Sequence, residues 1–201
     1  MGLNPSGSWS NTTPVYQRRF TCGYAECSRE VASNIGWLYK TAGNSSGEAY
    51  AYVCPMCHGI NIFEIKPSNR QTPGISYGRP VEHLPKDIDD LYGEIRNSTS
   101  AGAYTSAVLA CRKILMHIAV ERGAKAGQSF VSYVQYLVEH HYAPPGTEPW
   151  VDKIRQSGNE ATHEIKIMTA DDARELINFT EMLLKFIYEF PAKLLPAPPL
   201  V

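Results

Sequence analysis

The sequence predicts a mainly α protein, a helical bundle preceded by a small β module built around paired cysteines. Three observations carry this expectation. Four of the five cysteines fall in two close pairs among short β-prone runs within residues 15–66. A Pro-rich stretch, 67–86, then separates that segment from the rest. From Asp87 onward apolar residues recur every three or four positions, the period of a helix with one buried face.

Composition bounds the function. Hydrophobic residues at 43% and charged residues at 19% give the balance of a chain that buries a core, not of a disordered one. The net charge of −1 supplies no global attraction to nucleic acid. Residues 1–80 hold seven Lys/Arg against four Asp/Glu, and residues 81–201 hold twelve against sixteen, too small a contrast to assign a partner. No apolar run approaches the roughly 18 residues that span a bilayer. The opening MGLNPSGSWSNTTP lacks a charged lead and an apolar stretch, so the expectation is a cytoplasmic protein with no membrane association.

Taken in order, residues 1–14 read as a flexible lead-in of Ser, Asn, Thr, Gly and Pro. Residues 15–66 contain Trp37-Leu-Tyr-Lys40 and Tyr50-Ala-Tyr-Val53 across a Gly/Asn/Ser turn, a hairpin signal, with Asn61-Ile-Phe-Glu-Ile65 as a third strand. The cysteines flank them as Cys22-Gly-Tyr-Ala-Glu-Cys27 and Cys54-Pro-Met-Cys57. A pair spaced this closely grips one tetrahedral ion from a tight knuckle, and a second pair closes the site. So short a segment builds little core, and a metal supplies the missing stabilisation. Disulfides or four independent thiols are the alternatives, and disulfides fit poorly with a cytosolic chain. The expectation is a structural zinc held by Cys22, Cys27, Cys54 and Cys57, with His58 a bystander.

Residues 67–86 read as the linker, 87–192 as the helical bundle and 193–201 as a tail. Ile88, Leu91 and Ile95 mark a first helix. Ala107, Cys111, Ile114, Leu115 and Ile118 mark a long second one, with Gly123 at its C-terminal cap. Cys111 lies inside that stripe and reads as a small hydrophobe in preference to a nucleophile. His117 sits at the stripe's edge and reads as structural, and Arg112 beside it is a candidate binding residue. A third helix follows Ser129 with Val131, Val134, Leu137 and Val138 inward, and a short fourth carries Trp150, Val151 and Ile154. The last begins after Thr169-Ala-Asp-Asp172, a capping box with Asp in place of Glu. Its stripe is Ile177, Met182, Leu183, Phe186, Ile187 and Phe190.

Arg155, Asn159 and His163 recur at intervals of four, the spacing that shares a helical face. Two readings fit. In one the three polar heads form an active site. In the other Asn159 caps the helix that carries His163, Arg155 pairs with a nearby acid, and the cluster is structural.

Residues from about Leu84 to Pro191 resemble the domain-of-unknown-function family 4145. The match rests on LPKDIDDLYGE, AYTSAVLACRKILMHIAVERG, IRQSGNEATH and TADDARELINF. That family is similar to the HEPN superfamily of helical domains, so the resemblance implies a HEPN-like bundle in a prokaryotic or phage protein. Several HEPN proteins are dimeric, metal-independent ribonucleases of RNA processing and phage defence. On that pattern His163, Asn159 and Arg155 would be the catalytic residues of an endoribonuclease, although Gly158 stands directly before Asn159 where the ribonuclease motif has Arg.

Two function classes follow. The first expectation is a non-catalytic binding or adaptor module in nucleic-acid-linked or phage-defence processes, acting as a homodimer. Arg18, Arg19, Arg29 and Lys40 would meet phosphates and Phe20, Trp37 and Tyr39 would stack on bases, RNA before DNA. The helical part would then recruit a partner effector protein. The alternative is the metal-independent endoribonuclease, in which His163 moves a proton and Arg155 neutralises charge developing on phosphorus.

Overall fold

The computed structural model describes residues 8–11, 15–40, 48–66, 70–144, 146–147, 149–151 and 167–194. The chain divides into two units, Met1–Ser76 with Thr99–Gly102, and Tyr77–Ser98 with Ala103–Val201.

Among the described residues the first unit holds seven strands: β1 (Ser8–Asn11), β2 (Arg18–Thr21), β3 (Glu30–Ser33), β4 (Gly36–Lys40), β5 (Glu48–Val53), β6 (Ile60–Lys66) and β7 (Arg70–Thr72). Five form an antiparallel sheet in the order β1-β4-β5-β6-β7, and β2 pairs with β3 alone. Their core is aromatic. Phe20 of β2 meets Phe63 of β6 edge-on at 5.2 Å and Tyr52 of β5 at 5.9 Å, which fastens the small sheet to the large one. Arg18 lays its guanidinium 4.2 Å over the Phe63 ring. Gly36 is required where β4 crosses β5, because a Cβ there would stand 1.9 Å from the Ala51 carbonyl oxygen.

This unit corrects the expected fold class. The chain is not a mainly α, HEPN-like bundle with a small β appendage. It is α+β, with two antiparallel sheets segregated ahead of the helices. Three strands were legible, and the described residues hold seven. β1 falls in the stretch read as a lead-in and β7 in the stretch read as a linker. Both are edge strands of only three or four residues, too short for a period-two pattern to register. β2 and β3 carry one strongly buried residue each, Phe20 and Ser33, which leaves no visible alternation.

The second unit contains α1 (Lys86–Ser100, its last two residues counted with the first unit), α2 (Tyr104–Glu121), α3 (Phe130–Glu139), α4 (Ala170–Leu184) and α5 (Phe190–Leu194). A π-helical turn, Lys185–Glu189, joins α4 to α5. The predicted stripe of α2 is buried in full, Ala107, Cys111, Ile114, Leu115 and Ile118 alike. Gly123 follows α2 at φ 104°, a left-handed conformation suited to glycine. Ser129 caps α3, whose buried face is Phe130, Tyr133, Val134 and Leu137; of the predicted stripe Val134 and Leu137 are buried, and Val131 and Val138 are half-buried. Thr169 and Asp172 form the reciprocal capping box at the start of α4. The expected stripe of that helix holds only in part after Leu184, where Ile187 still packs against the core. The π turn rotates the face, so that Phe186 and Phe190 are exposed and Glu189 is buried. No helix among the described residues is long and apolar enough to cross a membrane.

Candidate metal centre

Two knuckles of the first unit bring four cysteines together. Each is closed by the same backbone bond: the Cys22 N–H donates to the Arg29 carbonyl, and the Cys54 N–H to the Gly59 carbonyl, both at 2.9 Å. Each ends in a left-handed residue directly after its second cysteine, Ser28 at φ 44° and His58 at φ 60°. A second bond tightens each turn, from the Ser28 N–H to the Tyr24 carbonyl at 2.8 Å and from the His58 N–H to the Cys54 carbonyl at 2.9 Å. Cys22-x4-Cys27 is therefore the Cys54-x2-Cys57 turn with two residues added ahead of it. One of these is Gly23, where a Cβ would stand 2.1 Å from the Pro73 carbonyl oxygen.

The four sulfurs all lie within 4.8 Å of one another, an arrangement that can hold a metal ion. Cys22 and Cys57 are 3.6 Å apart, and Cys27 and Cys54 are 3.9 Å apart. A tetrahedral ion with metal–sulfur bonds of about 2.3 Å separates its thiolates by about 3.8 Å, so the cluster has the size of such a shell. All the cysteines are free thiols. His58 is exposed and is not part of the group.

Burial and N–H donors shape the thiols in opposite directions. Burial pushes Cys22 up to about 12, against N–H groups from Tyr24 and Asn61 that favour its thiolate. Burial also raises Cys27, against a backbone N–H from Arg29. At Cys54 burial again pulls upward, but the backbone N–H groups of Cys57 and Met56 and the neighbouring thiols outweigh it and the thiol falls below its ordinary value. These donors converge on sulfur, which is what a metal-bound thiolate cluster requires.

Asn61 was not singled out in the sequence. It is wholly buried at the start of β6, and every hydrogen-bonding position of its amide is used. Its Oδ1 accepts from the Gly23 N–H at 2.8 Å and from Gln71 Nε2 at 3.3 Å. Its Nδ2 donates to the Gly59 carbonyl at 3.2 Å and to Cys22 Sγ at 3.6 Å. Gln71 also donates to the Thr21 carbonyl at 2.8 Å. The available signal was an Asn inside a β-prone run, where that residue is depleted unless it has partners.

The remaining candidates fall elsewhere. Arg112 is half-buried on α2 with its guanidinium 4.5 Å over the Phe130 ring. Cys111 is sealed in the helical core, and burial pushes its thiol up to about 12, as a packing residue requires. Arg155, Asn159 and His163 lie outside the described residues, as does Ile154 of the expected fourth helix.

Fold and site together define a two-unit α+β protein in which a four-thiol β unit precedes a helical one. The family model described as Domain of unknown function (DUF4145) matches residues 93–196, just over half of the chain, and the chain belongs to that family. The cysteine-bearing unit's strands precede the matched region. No curated protein and no solved structure matches the chain.

Proposed function

We propose that the protein is a zinc-stabilised, non-catalytic binding module, an adaptor in nucleic-acid-linked processes such as phage defence. One observation carries the reading: the thiol cluster offers four protein ligands within 4.8 Å of one another, a full tetrahedral set that would leave no coordination position for water or substrate. Zinc suits an all-thiolate tetrahedral set, and at such a site it stabilises a fold in place of performing chemistry.

Single-stranded RNA is the proposed ligand, and the β2–β3 hairpin the proposed surface. Phe20 and Tyr39 are core residues, 8% and 3% exposed, and do not serve as stacking platforms. Tyr16 does: it is 84% exposed, while its carbonyl is held at 2.9 Å by the buried Tyr52 hydroxyl. Arg19 is exposed on the outer face of β2 opposite Ala32, and Arg29 is exposed just before β3. A cleft of about 520 Å³ opens beside Arg19, Thr21 and Glu30. An exposed aromatic two residues before β2 and exposed cations on the hairpin supply the two kinds of contact, stacking and phosphate pairing, that bind single strands without reading sequence.

The test is twofold. The purified chain should carry about one zinc and bind single-stranded RNA with an affinity that falls as salt rises. Tyr16→Ala and Arg19→Ala should each weaken binding without loss of zinc. Salt-independent or absent binding overturns the RNA adaptor. Metal-independent cleavage that leaves 2′,3′-cyclic phosphate ends, and is abolished by His163→Ala, replaces it with the endoribonuclease.

A further inference from the structure

We propose that Asn61 is a positioning residue of the metal centre, which holds the two knuckles in register and donates an N–H to the Cys22 sulfur. The inference rests on the zinc reading above and goes beyond it, because it assigns to a residue outside the ligand set a share of the metal's retention.

The geometry fixes the amide's orientation. Both the Gly23 N–H and Gln71 Nε2 are donors, so the atom facing them is Oδ1. The opposite edge then presents Nδ2 to Cys22 and to the Gly59 carbonyl. One amide thus touches both knuckles: Gly23 and Cys22 belong to the first, and Gly59 closes the second through its bond with Cys54. Gln71 of β7 holds the amide from behind.

The chemistry explains why an amide stands in this position. Four thiolates around a divalent ion carry a net charge of two minus, which burial disfavours unless N–H groups are aimed at the sulfurs. The backbone supplies donors to Cys22, Cys27 and Cys54. Cys22 is wholly buried and also receives the Asn61 side chain. A leucine of similar size would fill the space but strand the Gly23 N–H and one sulfur lone pair, and leave the Gly59 carbonyl with the Cys54 N–H alone.

Asn61→Asp separates the two roles of the amide. It keeps the acceptor facing Gly23 and Gln71 and removes both donors. With about one zinc bound to the wild-type chain, release of zinc to a chromogenic chelator should be roughly ten- to a hundredfold faster in the variant, the usual effect of removing a partner behind a metal ligand. In the cobalt-substituted protein the sulfur-to-metal charge-transfer band should move to longer wavelength, because a thiolate without its N–H donor yields electron density more readily. Gln71→Ala, which leaves the Asn61 amide in place without its support, should release zinc a few-fold faster and provides the reading if Asn61→Asp does not fold. Wild-type release and an unmoved band in the folded variants overturn the positioning role. A wild-type chain that binds no zinc overturns the metal centre itself, a separate outcome.

Discussion

The sulfurs of Cys22 and Cys57, 35 residues apart in sequence, stand 3.6 Å from each other. Between them in the chain run β3, β4 and β5, so a metal at this point would close a loop that carries the central strands of the first unit. The buried side of that unit is small, with Val15, Phe20, Tyr52 and Phe63 as its cluster of buried residues. A metal held by the four thiols would therefore supply a large part of its stability. Chelation at neutral pH is expected to speed hydrogen exchange of the β5 and β6 amides at least tenfold while the α2 amides keep their protection. Cys57→Ser should reproduce this pattern, and equal loss across both units would contradict it.

The reciprocal bonds at the start of α4 give a cleaner stability test. Thr169 Oγ1 accepts from the Asp172 N–H at 3.2 Å, and Asp172 accepts from the Thr169 N–H at 2.8 Å. Thr169→Ala leaves an N-terminal amide unsatisfied and should cost about 1 kcal/mol in denaturant unfolding, with the slope unchanged.

The helical core should respond sharply to truncation. Ile114 is 1% exposed in the middle of the α2 stripe, whereas Leu109 on the same helix is 58% exposed. Ile114→Ala is expected to cost about 2–5 kcal/mol through lost burial and the cavity left behind. Leu109→Ala should stay within about 0.5 kcal/mol, which guards against a general effect of the helix.

These residues also show what the sequence made legible. The α2 stripe and the Thr169 capping box are local patterns, and both formed where the spacing placed them. The four thiols were legible because metal ligands advertise themselves by residue type and close spacing. The β architecture was not, because β1 and β7 are strands only by virtue of a neighbour to pair with. Asn61 was hidden for the same reason: its partners Gly23 and Gln71 are 38 and 10 residues away, and nothing in the run around it states that they meet. The π turn after Leu184 altered a well-predicted face: Ile187 still packs against the core, but Phe186 and Phe190 face outward and Glu189 inward.

Glu189, brought inward by that turn, predicts a pH dependence. Lys193 holds its carboxylate below the ordinary range at 2.7 Å, and the Glu82 N–H adds a bond at 3.1 Å. A carboxyl whose folded value is depressed contributes stability that is present above its unfolded value, about 4.3, and is lost as pH falls through the folded one. Glu189→Gln should therefore lower the melting temperature at pH 7, and the gap from wild type should close below about pH 4. A gap of constant size from pH 7 to pH 3 would show that the ion pair contributes nothing.

His58 offers a test in the opposite direction. It is exposed, it lies outside the thiol cluster, and it is held at φ 60° by the turn that presents Cys57. A side chain in the left-handed region carries a steric cost of roughly 1 kcal/mol that glycine does not have. Part of that gain is offset by the greater freedom of glycine in the unfolded chain. His58→Gly should thus stabilise the β unit by a few tenths to about 1 kcal/mol while zinc content stays at the wild-type value. Loss of zinc on this substitution would make His58 a ligand and displace one of the thiols. Unchanged zinc with a raised melting temperature would fix the turn, and not the imidazole, as the reason the chain bends there.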